Sequence, residues 1–342
     1  MDFFTISAGI SVHVWDTKDE KDPRSEPGVT NTNVMPGGTS HVATDGTSHD
    51  KSDGTSYVTT DGTPYVTTDG TSHVTTGRTL HVMPGLTGHL KPCLVLLHGY
   101  LETMYIFNEL IDALKEHFRI ITLDLPGHGL TDSAPADADG HRVNTMAFDA
   151  QVVAGVLDKC GVEKAWLAGH SMGGYVTLQA LRSMPERLEG AILLHSHPLP
   201  DAPEKAQDRE REKALIEAGK LHALAAASIP KMYNEENLRA CDEKIRETIE
   251  LCETHDPEGI ISSIDGLRTR PDQQEVMQHP PVPLMLIYGD HDNFLPLETV
   301  ARFKEIFPEV RYQLIPDTGH NSFIEHPDAV VAALAAFING RS

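Results

Sequence analysis

Three patterns of apolar and polar residues succeed one another along the chain. Phe4 and Ile6, then Ile10, Val12 and Val14, alternate with small or polar residues about an Ala8-Gly9 pair. Alternation puts such residues on one face of an extended chain and the small pair supplies a turn, so a β-hairpin is predicted from about Phe3 to Trp15. From about Thr30 to Gly85 the apolar residues thin into an eight-residue repeat, as in Gly54 to Asp61 (GTSYVTTD) and Gly62 to Asp69 (GTPYVTTD). Its Asp-Gly pairs suit two-residue turns, and the Thr, Val and Tyr between them favour strands, so a polar β-meander is one reading. Most octads carry one Val and at most one Tyr, too little apolar surface to offset the entropy of ordering. The segment 19–85 is therefore expected to be a low-complexity insertion, disordered or a loosely paired ribbon.

The third pattern alternates strands with helices. Cys93 to His98 is a continuous apolar run, as for a strand buried on both faces. Tyr105 to Phe118 places Phe107, Leu110, Ile111 and Leu114 on one helical stripe. Strand Arg119 to Leu125, helix Thr145 to Lys159, strand Ala165 to Ala168, helix Met172 to Met184 and strand Leu188 to Leu194 follow. Near the end, strand Leu284 to Tyr288, helix Leu297 to Phe307, strand Arg311 to Ile315 and helix Pro327 to Ile338 resume the rhythm. This alternation predicts a mostly parallel, doubly wound sheet that binds ligands at the carboxyl ends of its strands. Residues 200–281 hold no clear strand; their charged, helical character and the apolar patch Leu221, Leu224, Ile229, Met232 and Tyr233 read as a helical cap over that edge. The core is then 1–18, 86–199 and 282–342.

Composition narrows the function. The excess of 50 acidic over 28 basic residues, a formal charge of −22, argues against a nucleic-acid partner or an anionic membrane surface. No stretch has the apolar length of a membrane span, and the amino terminus lacks the basic and apolar regions of a signal peptide. Cys93, Cys160, Cys241 and Cys252 form no Cys-x-x-Cys pair, which speaks against zinc or a disulfide framework and for a reducing, cytoplasmic setting.

The candidate chemistry lies at the ends of predicted strands. Gly169-His170-Ser171-Met172-Gly173 falls where a strand gives way to a helix. A sharp turn there lifts the serine hydroxyl above the sheet, and the flanking glycines remove side chains that would collide. A serine needs a base to take its proton. Among 19 histidines, those of the octads (His41, His49, His73, His81) are set aside, and His320 stands in a strand-end loop on the same edge as Ser171. A carboxylate must orient that imidazole; Gly289-Asp290-His291-Asp292 offers two, and Asp201 after Leu194 is a third. His195 and His197 end a central strand beside Ser171 and read either as substrate-facing or as a polar rim. A calcium loop at Asp290-x-Asp292-Asn293 is rejected, because Ala301 occupies the place of the bidentate Glu.

These motifs, outside the octads, resemble the α/β-hydrolase fold family. The order nucleophile, acid, histidine is that family's, Asp292 matches the acid of its Gly-x-x-Asp motif, and Thr318-Gly319-His320 with Glu325 and Pro327 matches its Gly-His motif. His98-Gly99-Tyr100 is similar to the loop that supplies one oxyanion donor, which implies the backbone N–H groups of Tyr100 and Met172 for that role. Asp124-Leu-Pro-Gly-His128-Gly is another hallmark and reads as a rigid turn rather than a metal site. The resemblance implies an acyl-enzyme hydrolysis of a small-to-medium carboxylic ester or lactone, with no metal or cofactor. A carbon–carbon hydrolase, a cofactor-free haloperoxidase and a non-catalytic receptor on the same fold are the alternatives.

Overall fold

The structure is a computed structural model that describes residues 1–6, 8–19 and 91–340. The octad insertion expected over 19–85 lies almost wholly outside those residues. The eight strands are β1 (Asp2–Thr5), β2 (Ser11–Asp16), β3 (Cys93–Leu97), β4 (Arg119–Leu123), β5 (Ala165–His170), β6 (Leu188–Leu194), β7 (Leu284–Gly289) and β8 (Arg311–Ile315). They form one sheet in the order β1-β2-β4-β3-β5-β6-β7-β8. β1 and β2 pair antiparallel as a hairpin, Phe4 opposite Val12. β2 runs antiparallel to β4, and every later pairing is parallel.

Because side chains alternate across a strand, each buried strand feeds two cores. Val95 and Leu97 of β3 and Leu167 of β5 enter one core with Val152, Val153 and Val156 of α2 (Met146–Lys159) and Val176 and Leu178 of α3 (Met172–Ser183). Leu94, Leu96, Trp166 and Ala168 enter the other. There they meet Leu110, Ile111 and Leu114 of α1 (Asn108–Leu114) and Val330 and Leu334 of α11 (Pro327–Ile338). This is why the strands read as unbroken apolar runs. The first predicted helix is shorter than its pattern: Met104–Phe107 form a 3-10 turn and the α-helix stops at Leu114. β5 extends two residues beyond Ala168, since Gly169 and His170 pair with Leu193 and Leu194.

Between β6 and β7 the chain makes α4 (Pro203–Glu217), α5 (Leu221–Ser228), α6 (Asp242–Glu253), α7 (Pro257–Arg268) and α8 (Gln274–Gln278). After β7 come α9 (Leu297–Ile306) and, between β8 and α11, the single turn α10 (Ser322–Glu325). From β3 the chain passes to β4 on one side and then to β5 on the other, so the carboxyl ends of β3 and β5 flank the point where the winding reverses. The loops leaving those two strands hold Tyr100 and Ser171. Among the described residues no helix is long and apolar enough to cross a membrane, and all four cysteines are free thiols.

Candidate active site

Ser171 sits between β5 and α3 with φ 49° and ψ −109°. This left-handed backbone is costly for a residue with a Cβ and needs its surroundings to hold it. The Ser171 N–H donates to Leu194 O at 2.9 Å, and Ser196 Oγ donates to Ser171 O at 2.8 Å. The glycines are steric necessities. A Cβ on Gly169 would lie 2.2 Å from Gly173 O, and one on Gly173 would lie 2.3 Å from Leu97 O.

Asp292, in the loop after β7, and His320, in the loop after β8, are brought together. His320 Nδ1 is 2.9 Å from both Asp292 carboxylate oxygens. Asp292 Oδ1 also accepts from the Phe294 and Leu295 amides at 2.8 and 3.0 Å. Burial opposes ionisation of Asp292, but the facing His320 and His195 hold its carboxyl well below the usual carboxylate range. The two rival acids are elsewhere. Asp290 accepts from the Thr318 amide, and Asp201 lies between Arg270 (2.5 Å) and Arg209 (3.4 Å). The His320 N–H donates to Met232 O at 2.7 Å, and Phe294 packs on its ring at 4.8 Å between centroids. Ser171 and His320 line one cavity of about 620 Å³, with no direct hydrogen bond between their side chains.

The loop after β3 is fixed from below. His98 Nδ1 donates to Gly99 O at 2.8 Å and its Nε2 accepts from the Leu125 amide at 2.8 Å, so the ring is neutral; burial pushes its pKa down. Glu102, fully buried, accepts from the Gly99 amide at 2.7 Å and from His170 Nδ1 at 2.8 Å. His170 Nε2 faces His320 O at 3.1 Å. Among the described residues the Tyr100 and Met172 amides have no protein acceptor. In the Asp124 turn, Asp124 accepts from the Met104 and Leu130 amides and from His13 Nδ1, the contacts of a rigid corner.

The rest of the cavity wall was not foreseen. Arg209 of α4 lies over the Tyr100 ring at 5.1 Å and bonds Glu212 at 3.0 Å. Arg270 stacks on Tyr175 at 4.2 Å. The Arg209–Tyr100 and Arg270–Tyr175 contacts join residues far apart in sequence, and only the polar character of α4 hinted at the first. His195, expected either to face a substrate or to form a polar rim, lines the same cavity as Ser171. Its ring is buried, with Nδ1 2.9 Å from Asp292 Oδ2 and Nε2 2.6 Å from Ser322 Oγ, so neither nitrogen is left for a ligand. His197 is half-buried at the rim, 3.2 Å from Tyr175 Oη, and its pKa is pushed down to about 4 by burial. His195, Asp292 and His320 bring three potential ligand atoms together, and in this arrangement those atoms are hydrogen-bonded to one another at 2.9 Å.

Known proteins of this architecture bear out the fold reading. Residues 94–333 match the alpha/beta hydrolase family. The 2-succinyl-6-hydroxy-2,4-cyclohexadiene-1-carboxylate synthase of Enterobacter sp. strain 638 is 26% identical over 72% of this chain and 92% of its own. The pimeloyl-[acyl-carrier protein] methyl ester esterase of Serratia marcescens is 26% identical over 72% of this chain and 93% of its own. A thermophilic esterase from Thermogutta terrifontis superposes with a TM-score of 0.68 at 27% identity, covering 73% of this chain and 90% of that one. With more than half of its length, residues 94–333, matched by the family model, the chain belongs to the alpha/beta hydrolase family.

Proposed function

We propose that the protein hydrolyses a small-to-medium carboxylic ester or lactone through an acyl-enzyme formed on Ser171. His320 takes the Ser171 proton as the hydroxyl oxygen attacks the carbonyl carbon. Asp292 holds the imidazole by Nδ1 and stabilises the imidazolium that forms. The Tyr100 and Met172 N–H groups receive the oxyanion, and the helix N-terminus of α3 adds its positive end. The imidazolium then protonates the leaving alkoxide; for a lactone this group stays tethered to the acyl chain. Water, deprotonated by His320, releases the acid and regenerates Ser171.

The observation that carries this reading is the contact of Asp292 with His320 beside a strained serine and two unpartnered amides in a single cavity. An esterase and a methyl ester esterase among its relatives are consistent with it. The missing Ser171–His320 bond is common before a substrate tightens such sites. The test is a turnover panel of p-nitrophenyl esters of graded acyl length together with lactones. Ser171→Ala is expected to lower kcat on the best substrate by about three orders of magnitude or more with the melting temperature unchanged. Near-native turnover in that variant would overturn the assignment.

A further inference from the structure

Asp292 has more partners than a single imidazole requires. Its Oδ1 accepts two backbone amides, its carboxylate faces His320 Nδ1, and its Oδ2 receives a second imidazole, His195, at 2.9 Å. The side chains of His195 and Asp292 are both fully buried. An ionised carboxylate only accepts, so His195 Nδ1 carries the proton. Burial pushes the His195 pKa down to about 4, so the ring is neutral near pH 7. Its Nε2 lone pair therefore accepts from the Ser322 hydroxyl at 2.6 Å. The residue is held with φ 54°, its amide donating to Ile287 O at 2.8 Å. A side chain anchored at both ends from a left-handed backbone position is built to aim.

We propose that His195 is a positioning residue: it fixes the Asp292 carboxylate against His320 and draws off part of its charge, which sets the lower end of the pH range in which His320 serves as base. This rests on the acyl-enzyme reading above. The charged and titratable groups around the pair come from every neighbouring strand end. Asp292 comes from the loop after β7, and His320 and Ser322 from the segment after β8. His170 comes from β5, its ring 6.3 Å from His195 and 4.9 Å from His320, backed by Glu102. Apart from His320, whose Nδ1 faces the carboxylate, none of these groups donates to Asp292. Removing the His195 donor leaves the carboxylate charge less shared, favours the His320 imidazolium, and so withdraws the free base at a higher pH.

The test compares kcat, KM and the pH profile of kcat/KM in three variants. His195→Leu is expected to lower kcat about tenfold or more with KM nearly unchanged, and to move the acidic limb upward by about half a pH unit. His195→Asn keeps an N–H donor and tolerates the left-handed backbone, and is expected to restore most of both. Ser322→Ala frees the far end of the ring without touching that backbone, and should move the limb in the same direction by less. A folded His195→Leu enzyme with an unmoved limb and native kcat would overturn the proposal, as would an Asn variant no better than Leu. If His195→Leu does not fold, an unmoved limb in Ser322→Ala decides against it. Should Ser171→Ala and His320→Ala retain turnover, the acyl-enzyme reading itself fails; if both are inactive while the His195 variants behave as wild type, only the present proposal does.

Discussion

Asp149 lies buried near the start of α2, its Oδ1 without a partner among the described residues, and burial raises its pKa well above the usual carboxylate range. A group whose folded pKa is raised is protonated in the native state where the unfolded chain would ionise, so it costs stability as pH rises above ~3.9. Asp149→Asn is expected to stabilise the fold at pH 7 by about 1–3 kcal/mol and to lose that advantage near pH 4. Thermal melts at the two pH values check this, and an unchanged melting temperature at pH 7 would refute it. Ser171 and His320 were legible because each belongs to a short motif tied to a strand end. Asp292 was singled out from Asp290 and Asp201 by resemblance alone, and its contact with His320 depends on two loops meeting. Glu102, Arg209 and Arg270 carried no such mark. Their partners His170, Tyr100 and Tyr175 are distant in sequence, and spacing says nothing about contacts that only the sheet order creates. His195 was noticed for its place beside Ser171, but its inward-turned ring was not readable.

At the scale of elements, the strands were legible because burial on both faces leaves a continuous apolar run, whereas helix ends were not. α1 stops at Leu114 although the apolar stripe continues to Phe118, which packs into the core from a turn. Residues 200–281 showed helical character without boundaries; their helices break at short turns set by contacts such as Met232 O with the His320 amide. The flanks of the octad segment are more telling. Thr17, Lys18, Lys91 and Pro92 line one surface pocket with Arg119 and Glu189, at the amino ends of β3, β4 and β6. Ser171 is at the carboxyl end of β5. Deleting residues 30–85 is therefore expected to leave kcat and KM within about twofold of the full chain. A large change in KM would show that the segment reaches the site.

The chain carries a formal charge of −22, and several histidines of the described residues are buried. Burial lowers the pKa values of His195, His197 and His255 to about 4 and depresses those of His98 and His128 as well. In the unfolded chain these rings titrate near ~6.5. For His195, His197 and His255 the unfolded state therefore binds more protons between about pH 6.5 and 4, and stability falls as pH falls through that window, by up to about 1.4 kcal/mol per pH unit for each ring; His98 and His128 act in the same direction. The depressed carboxyls Asp292, Glu102 and Asp124 act lower: their contribution is present above the unfolded value near ~3.9 and is lost as pH falls through the folded one. The melting temperature should drop steeply from pH 7 to pH 5, before most carboxylates titrate. A flat profile across that interval would contradict the neutral, buried state of these rings.

The proposed chemistry turns on Ser171 as the attacking group. Treating the full-length protein with a fluorophosphonate and mapping the adduct by peptide mass spectrometry tests it most directly. One adduct per chain, on the peptide containing Ser171 and absent in His320→Ala, is the predicted result; labelling at another residue, or none in a folded protein, would contradict it.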